Sequence, residues 1–532
     1  MSPVADVRRV AIVGAGPRAA YALERLATLA ASYAVNPPEV DVIAPGTTLG
    51  PGQIYAIGQP DYLRLNVSSK VINAWQVDDK EPSGEAFDVW RERLQPGSSE
   101  DQFPARSTAG AYLAEFGAQQ RASVPGARIE GRVSSIRRSG TQYEVRWTDP
   151  HGRLHAGDYD EVLLAIGHAS DWDGALRVGW PSDLALLPGV YPVQRLERSA
   201  QFADAPKGAT VIIRGAALTA IDAVLAIAQH HPELHLVLAS RTGKLMAPKT
   251  DSAVLAGRTD TTSVLAEGIA RMRQSRSSVQ NELVRTARAL LATVVDVREE
   301  EWDLCLHSLW TSAGPADHTR WLAHRLAIAR GEADPDPAWA LGEVWRGVYS
   351  TLVARQRAED KQGFPLGWSQ YHHWSTELER LAFGPPVVNA EALLDLVCRG
   401  VVEVCASNDI AALARERRAV LTVDAVLAPP GVREIRDPLV TALLADRLIS
   451  VAPQGRGVLI DGAASCLVGG RPIAGLAAVG RITEDAVMGN DTLTRTMHPE
   501  LHRWAERVLG VGEPLRRTTV AALQVKEQAL HG

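Results

Sequence analysis

Residues 9–31 read RVAIVGAGPRAAYALERLATLAA, and the fold is decided by this stretch. The β-branched run Arg9 to Val13 predicts a strand, and the Ala- and Leu-rich run Ala20 to Ala31 predicts a helix. Between them lies Gly14-x-Gly16-x-x-Ala19. With Asp41 to Ala44 as a second strand, this order is typical of a dinucleotide-binding βαβ unit.

Each position of the glycine turn has a physical role. Gly14 permits the tight turn, Gly16 lets the backbone approach a pyrophosphate, and Ala19 lets the helix pack closely on the strand. The free N–H groups and the positive dipole end of the helix then face the phosphates. We therefore predict that FAD binds at Gly14, Gly16, Pro17, Arg18 and Ala19.

The second strand of this unit departs from the usual pattern. An acidic residue normally holds the ribose hydroxyls at the position of Ala44. The ribose contact is therefore either lost or moved. Asp41, three residues earlier, is a candidate for it, and the alternative is that Asp41 is a solvated strand end.

A second strand, turn and helix begins at Thr210, with Leu234 to Ala239 as its second strand. Ala217 stands where the middle glycine would be, so either the cofactor lies farther away or this unit is structural. We predict NADPH binding by Gly215, Thr219, Ser240 and Arg241. A guanidinium after the second strand suits a 2′-phosphate, whereas a carboxylate would suit NADH. The alternative is that Arg241 is an ordinary surface arginine.

Composition limits the partners. The net charge of -6 over 532 residues gives no general attraction for nucleic acid. Apolar stretches are far shorter than the ~20 residues that span a bilayer, and the start of the chain lacks the plan of an export signal. We expect a cytoplasmic protein that binds neither nucleic acid nor a membrane.

The cysteines and histidines predict no metal site. Cys305, Cys398, Cys405 and Cys466 include no Cys-x-x-Cys pair, so we expect buried, reduced thiols. His372 and His373 have no Cys or Glu nearby at metal-ligand spacing.

The predicted fold class is α/β, with two Rossmann-like dinucleotide-binding domains and a helical insertion. Arg128 to Arg137 and Gln142 to Thr148 have strand character. The insertion has helical periods and seven of the thirteen tryptophans, which indicate either a lid over the substrate or core packing. We predict five segments, namely FAD-binding 1–206, NAD(P)-binding 207–250, helical insertion 251–374, NAD(P)-binding 375–430, and a return to the FAD-binding domain over 431–532.

Further short motifs connect the chain to a family. They are Phe103-Pro104-x-Arg106, Gly110-x-Tyr112-Leu113, Leu218-Thr219-Ala220-Ile221-Asp222, Ser240-Arg241-x-Gly243, Phe383-Gly384-Pro385-Pro386, Gly480-Arg481-x-Thr483-Glu484 and Gly489-Asn490-Asp491-Thr492-Leu493. Together with the first glycine turn, they resemble flavoproteins with two dinucleotide-binding domains. Within these, the chain is similar over nearly its full length to a bacterial FAD/NAD(P)-binding family related to N-hydroxylating monooxygenases, including those that oxidise aspartate to nitrosuccinate.

The resemblance implies FAD, NADPH and O2 as reactants and the amine of a small amino acid as substrate. The flavin carries the difficult chemistry, so no catalytic triad is expected. We expect Asn66, Gly167, Asn490 and Asp491 to contact the cofactors.

A dicarboxylic substrate needs cations, which Arg64, Lys70 and Arg106 offer, although each also fits a surface charge or a phosphate neighbour. Two other functions remain open. One is an NADPH-dependent flavin oxidase or reductase, and the other is an FAD-binding scaffold without turnover.

Overall fold

The structure is a computed structural model. It describes residues 8–75, 84–167, 174–250, 254, 261–274, 279–311, 314–359, 368–433, 437–451, 455–490, 492–495 and 497–511. Asp491 and the side chains of Tyr371 and His372 lie outside the described residues.

Fourteen strands are found in the described ranges. In chain order they are β1 (Arg9–Val13), β2 (Glu39–Ala44), β3 (Arg128–Glu130), β4 (Arg132–Ser139), β5 (Gln142–Thr148), β6 (Leu154–Tyr159), β7 (Glu161–Leu164), β8 (Leu186–Pro188), β9 (Thr210–Arg214), β10 (His235–Ser240), β11 (Val402–Ala406), β12 (Leu421–Asp424), β13 (Ser465–Val468) and β14 (Arg471–Ala478).

The same ranges contain sixteen α-helices. They are α1 (Pro17–Tyr33), α2 (Phe87–Leu94), α3 (Arg106–Ala122), α4 (Gln194–Glu197), α5 (Ala200–Ala203), α6 (Leu218–His230), α7 (Thr261–Gln274), α8 (Val279–Ala292), α9 (Glu299–Trp310), α10 (His318–Ala329), α11 (Pro337–Glu359), α12 (Trp368–Ala382), α13 (Val387–Cys398), α14 (Ile410–Glu416), α15 (Pro438–Ala445) and α16 (Glu500–Leu509).

The first sheet has six strands in the order β13-β14-β7-β1-β2-β3. Only the β13–β14 pair is antiparallel, and the other pairs are parallel. Alternate residues of β1 face opposite layers, as strand geometry requires. Val10 and Ile12 pack under α1, α3 and α16, whereas Ala11 and Val13 pack against the layer of β4, β5, β6 and α15.

Arg128 to Arg137, expected as one strand, is divided between two sheets. β3 pairs with β2 in the first sheet, and β4 begins the antiparallel sheet β4-β5-β6. The chain changes direction at Gly131, where a Cβ atom would lie 2.5 Å from the Trp147 ring. That close approach leaves no room for a side chain at the position where β3 ends and β4 begins.

The second sheet has five parallel strands in the order β11-β10-β9-β12-β8. Helices α6, α10 and α13 cover one face of it, and α14 packs on the other. The mixed α/β fold, with one mainly parallel and one fully parallel sheet, confirms the predicted fold class. Strand β8 pairs with β12, so the chain enters the second sheet at Leu186, before the boundary predicted at residue 206.

The insertion is helical. Helices α7, α8, α9, α11 and α12 share one core, in which Trp302, Trp339, Trp345 and Trp374 are buried. Of the two alternatives for the tryptophans, a lid over the substrate or core packing, these four agree with core packing. Helix α10, in contrast, packs on the second sheet through Leu322 and Leu326.

Candidate functional site

The first glycine turn is fixed by close packing between β1 and the end of β7. Gly14 has φ +115°, and a Cβ atom on it would lie 2.4 Å from the carbonyl oxygen of Ala165. Its N–H donates to the oxygen of Ile43 at 2.9 Å. Only glycine fits both this conformation and this space. Gly167 lies just beyond, with open space beside it.

The N-terminus of α1 has room for a phosphate group. Gly16 is the N-cap, and a Cβ atom on it would meet nothing within 4 Å. Pro17 follows at the first helical position, no acidic side chain lies in the first turn, and Ala19 is fully buried. Helix N–H groups without a capping side chain bind anions well. These residues fit the pyrophosphate of FAD.

The loop over residues 49–73 lies against this turn and joins the two units. The N–H of Gly50 donates to the oxygen of Ala15 at 2.9 Å. Farther along, Leu63 packs in the core of the second sheet and Leu65 in that of the first. Half-buried Asn66 follows, and its amide makes no hydrogen bond within the described part of the chain. It is therefore available to a ligand.

The C-terminal segment returns to the first turn through Arg18. The Arg18 guanidinium donates to the carbonyl oxygens of Asn490 at 3.1 Å and Thr492 at 2.8 Å. The Asn490 amide is buried and donates to the Thr483 hydroxyl at 2.5 Å. Both side chains thus hold the segment in place, and their predicted contacts with FAD stay predictions.

The usual place for ribose recognition, at the end of β2, is built differently here. Asp41 is buried and accepts hydrogen bonds from the Tyr159 hydroxyl at 2.9 Å and from the N–H of Ala127 at 3.0 Å. It therefore joins strands and is not a solvated strand end. The guanidinium of Arg128 donates to the carbonyl oxygens of Val42 at 3.2 Å and Ala44 at 3.0 Å. An arginine thus covers the strand end where a carboxylate would normally lie.

The second glycine turn repeats the geometry of the first with one change. Gly215 has φ +128°, and α6 begins directly after Ala217, which is its N-cap. The side chain of Ala217 is exposed, so its methyl group occupies the approach to the helix N-terminus. Thr219 is buried in the first turn. A nucleotide at this helix must lie farther from the backbone than at Gly16.

Arg241 lies exposed at the end of β10, beside Ser240, whose hydroxyl accepts from the N–H of Gly243 at 3.0 Å. Within the described residues, the Arg241 guanidinium has neither an ion pair nor a hydrogen bond. A second arginine, Arg380 of α12, lies close enough to feel its charge. Burial and then the repulsion of Arg241 lower the pKa of Arg380, although Glu377 opposes the shift. Two neighbouring cations are suited to a dianion.

The sequence did not indicate Arg380. It is distant from Arg241 along the chain, and only the packing of α12 brings the two together. Part of its guanidinium donates to the carbonyl oxygen of Lys244 at 3.1 Å, while its buried Nε atom has no hydrogen-bond partner and lies 4.0 Å from Glu377, with which it forms an ion pair.

Two of the three cations predicted to bind substrate have carboxylate partners. Arg64 donates to Asp101 at 2.6 Å, and Arg106 pairs with buried Asp222 at 2.8 Å. Lys70 is exposed on a short 3₁₀ helix. Since Arg106 lies on α3 and Asp222 on α6, this pair joins the two units, with the Tyr191 hydroxyl contacting both side chains.

The cysteine prediction is partly wrong. All four thiols are free, but only Cys466 is buried, whereas Cys398 is exposed and the other two are intermediate. Cys398 is the last residue of α13, which turns that position toward solvent. Among the described residues, no group of three or more His, Cys, Asp or Glu side chains could hold a metal ion.

Among the described residues, no single helix is both long and apolar enough to span a bilayer. The helix pair His373–Ala382 and Val387–Cys398, bent by 92°, meets the length and composition criteria only when the two helices are taken together.

Comparison with known families gives a match in the first unit. Residues 11–169 match a family model described as FAD-NAD(P)-binding. This segment contains the first glycine turn, the loop over residues 49–73 and the end of β7. The match falls within the predicted FAD-binding segment 1–206, and the bounds of that segment and the roles of its residues stay predictions. A search of curated proteins finds no match.

Solved structures share the fold of the whole chain. The reduced form of ornithine hydroxylase PvdA from Pseudomonas aeruginosa has a TM-score of 0.53 and 10% identity, over 95% of this chain and 99% of that one. Ornithine N-hydroxylase KtzI from Kutzneria sp. 744, solved with reduced FAD, NADP+ and L-ornithine, has a TM-score of 0.50 and 10% identity, over 94% and 99%. The chain therefore has the fold of flavin-dependent N-hydroxylating monooxygenases.

Proposed function

We propose that this protein is an FAD- and NADPH-dependent monooxygenase that oxidises the amino group of a small amino acid. One observation carries the proposal: two glycine turns, each opening a helix without a capping side chain, occur in one chain that has the fold of ornithine hydroxylases over nearly its full length. FAD would supply the oxygen transfer, with electrons from NADPH.

The residues of the chain would bind and position the reactants. The α1 N-terminus and Gly16 would hold the pyrophosphate of FAD, and Asn66, on the loop over residues 49–73, offers an amide without a partner among the described residues. Arg241, with Arg380 next to it, would hold the 2′-phosphate of NADPH. The protein must also keep the substrate amine unprotonated, because an ammonium group has no lone pair. We expect turnover to rise with pH through neutrality.

Aspartate, giving nitrosuccinate, is the first substrate to be tried. The resemblance to aspartate-oxidising members motivates this choice, while the solved structures of similar fold include enzymes named for ornithine. Because Arg64 and Arg106 have carboxylate partners, we do not assign either of them to the proposed substrate site. Ornithine and lysine therefore belong in the same panel as aspartate.

The test is substrate-dependent turnover. The protein reconstituted with FAD is mixed with NADPH and air, and NADPH oxidation, hydrogen peroxide and hydroxylamine or nitro products are measured for each amino acid. We expect one amino acid to accelerate NADPH oxidation and to give a product oxidised at nitrogen. NADPH oxidation that ignores every amine, with matching peroxide, would favour the oxidase alternative.

One observation favours the scaffold alternative. The exposed methyl group of Ala217 lies at the second helix N-terminus, where a pyrophosphate would approach. Anaerobic mixing with NADPH separates the two cases. Loss of the flavin absorbance supports the enzyme, whereas unchanged absorbance at saturating NADPH would support a scaffold.

A further inference from the structure

Lys249 is a buried lysine on the segment that follows β10. Only 3% of the residue is exposed, and its backbone N–H donates to the oxygen of Pro385 at 2.9 Å. Nearby, a Cβ atom on Gly384 would lie 1.8 Å from the oxygen of Ala247, so no larger residue fits there. The Phe383-Gly384-Pro385-Pro386 motif thus holds the segment that places Lys249.

Two aromatic rings flank the amine. Its Nζ atom is 5.6 Å from the ring centroid of Phe103 and 5.3 Å from that of Phe383. Phe103 belongs to the first unit, where its carbonyl oxygen accepts from Arg64 at 3.3 Å. Lys249 therefore lies where a segment of the second unit meets a loop of the first.

The C-terminal segment reaches the same place through Tyr349. The ring of Tyr349 packs edge-on against Phe383, with centroids 5.8 Å apart. A Cβ atom on Gly489 would lie 2.7 Å from the Tyr349 hydroxyl. Since Arg18, at the first glycine turn, donates to the carbonyl oxygens of Asn490 and Thr492, the amine belongs to the region between the two nucleotide units.

Among the described residues, no acceptor lies within hydrogen-bonding distance of the amine. The Lys249 Nζ atom makes no hydrogen bond or ion pair there, and its contacts are cation–π contacts with the two rings. The charged neighbours are Arg346 and Glu343, both on α11, and Arg346 already donates to Glu343 at 2.7 Å. Burial, and then the repulsion of Arg346, lowers the pKa of Lys249 well below its usual range, while Glu343 opposes the shift.

Lys249 Nζ is absent from the fully buried atoms that lack a partner, so the amine of this nearly buried residue keeps some accessible surface. An amine in such a place is costly unless water or a ligand supplies an acceptor. A carboxylate would provide both an acceptor and a compensating charge. We propose that Lys249 binds a carboxylate group of the substrate, with Phe103 and Phe383 as the apolar walls of that subsite. In its ammonium form the amine donates a hydrogen bond to the carboxylate. The identity of the anion as an amino acid rests on the proposed function.

The test is binding of succinate and aspartate to the FAD-loaded protein, measured by titration calorimetry. Lys249→Met keeps the length of the side chain and removes the donor. We expect it to weaken binding of both anions at least ~10-fold, since a hydrogen bond to a charged group is lost. Lys207→Met, which alters an exposed lysine, should bind them as the parent does.

The pH dependence of binding tests the role of the amine itself. Because a bound carboxylate favours the ammonium form, the affinity of the parent for succinate should fall as the pH rises, and that of Lys249→Met should change less. FAD content should be equal in both proteins. Since the change replaces a buried amine by an apolar chain, the variant should fold, and Lys249→Gln provides a second variant with the same expected loss.

Three results would overturn the subsite: equal affinities of parent and Lys249→Met, no binding of either anion by the parent, or loss of FAD in both Lys249 variants. The proposed function can fail while the subsite at Lys249 stands. If the anions bind with an affinity that depends on Lys249 but no amino acid gains oxygen, the subsite stands and the monooxygenase does not.

Discussion

Replacing Arg241 by alanine removes the exposed guanidinium at the end of β10. In the structure this group has no partner among the described residues, and its neighbour Arg380 is also a cation. NADPH carries a 2′-phosphate that NADH lacks. Arg241→Ala should therefore weaken the use of NADPH and leave the use of NADH unchanged.

The expected size follows from the exposure of Arg241. A hydrogen bond to a charged group contributes about 1.5 to 3 kcal/mol, and exposure to solvent favours the lower end of that range. About 1.4 kcal/mol corresponds to a factor of ten. The ratio of kcat/KM for NADPH to that for NADH should fall roughly tenfold. The parent preference should also weaken with salt, since the Debye length falls from ~10 Å at 0.1 M to ~3 Å at 1 M.

The assay is anaerobic reduction of the bound flavin by each nucleotide. Arg195→Ala is the matched control, because Arg195 is also exposed and lies on α4, in the second unit. It should leave the ratio unchanged, whereas Arg380→Ala should lower it. Equal use of NADH and NADPH by the parent, or an unchanged ratio in Arg241→Ala, would refute the phosphate site.

Three further changes test other parts of the structure. Gly16→Val should abolish retention of FAD while the protein stays folded, because the branched side chain enters the open space at the α1 N-terminus. Arg106→Ala should lower the free energy of unfolding by about 3 to 5 kcal/mol near neutral pH, since it leaves Asp222 buried without its cation. The loss should shrink in acid, because burial raises the pKa of Asp222 and a protonated carboxyl needs no cation. Thiol reagents should label Cys398 in the native protein and leave Cys466 unmodified until the protein unfolds.

Each change has a control. Gly58→Val places the same side chain in open space on an exposed loop and should retain FAD. Arg64→Ala breaks a more exposed pair with Asp101 and should cost less than about 1 kcal/mol. Equal FAD content in Gly16→Val and the parent would contradict the first site. Chemical denaturation that shows equal losses for Arg64→Ala and Arg106→Ala would contradict the inter-unit pair, and rapid native labelling of Cys466 would contradict its burial.

The sequence predicts the parts of the fold that depend on local patterns. Gly14 and Gly215 both lie at positive φ in tight turns between a strand and a helix, as the glycine patterns indicate. The break at Gly131 was not predicted, because it depends on the distant ring of Trp147. The early entry of the chain into the second sheet at Leu186 likewise depends on a partner strand, β12, that lies far along the chain.

The candidate site was harder to predict than the fold. Arg64 and Arg106 looked like substrate ligands in sequence, and only the structure shows their partners Asp101 and Asp222. Lys249 lies in a segment without a motif, so its burial between two distant phenylalanines could not be predicted. Charged side chains meet their partners only when the chain folds, so a local sequence pattern does not predict these ion pairs.

The most direct test of oxygen transfer to an amine is isotope labelling. The FAD-loaded protein is incubated with NADPH, 18O2 and a panel of aspartate, ornithine, lysine and other small amino acids, and the products are examined by mass spectrometry. We predict that one amino acid gives a hydroxylamine, nitroso or nitro product whose new oxygen carries the label. If no amino acid gained labelled oxygen and the hydrogen peroxide formed equalled all the NADPH consumed, the protein would not be an amine monooxygenase.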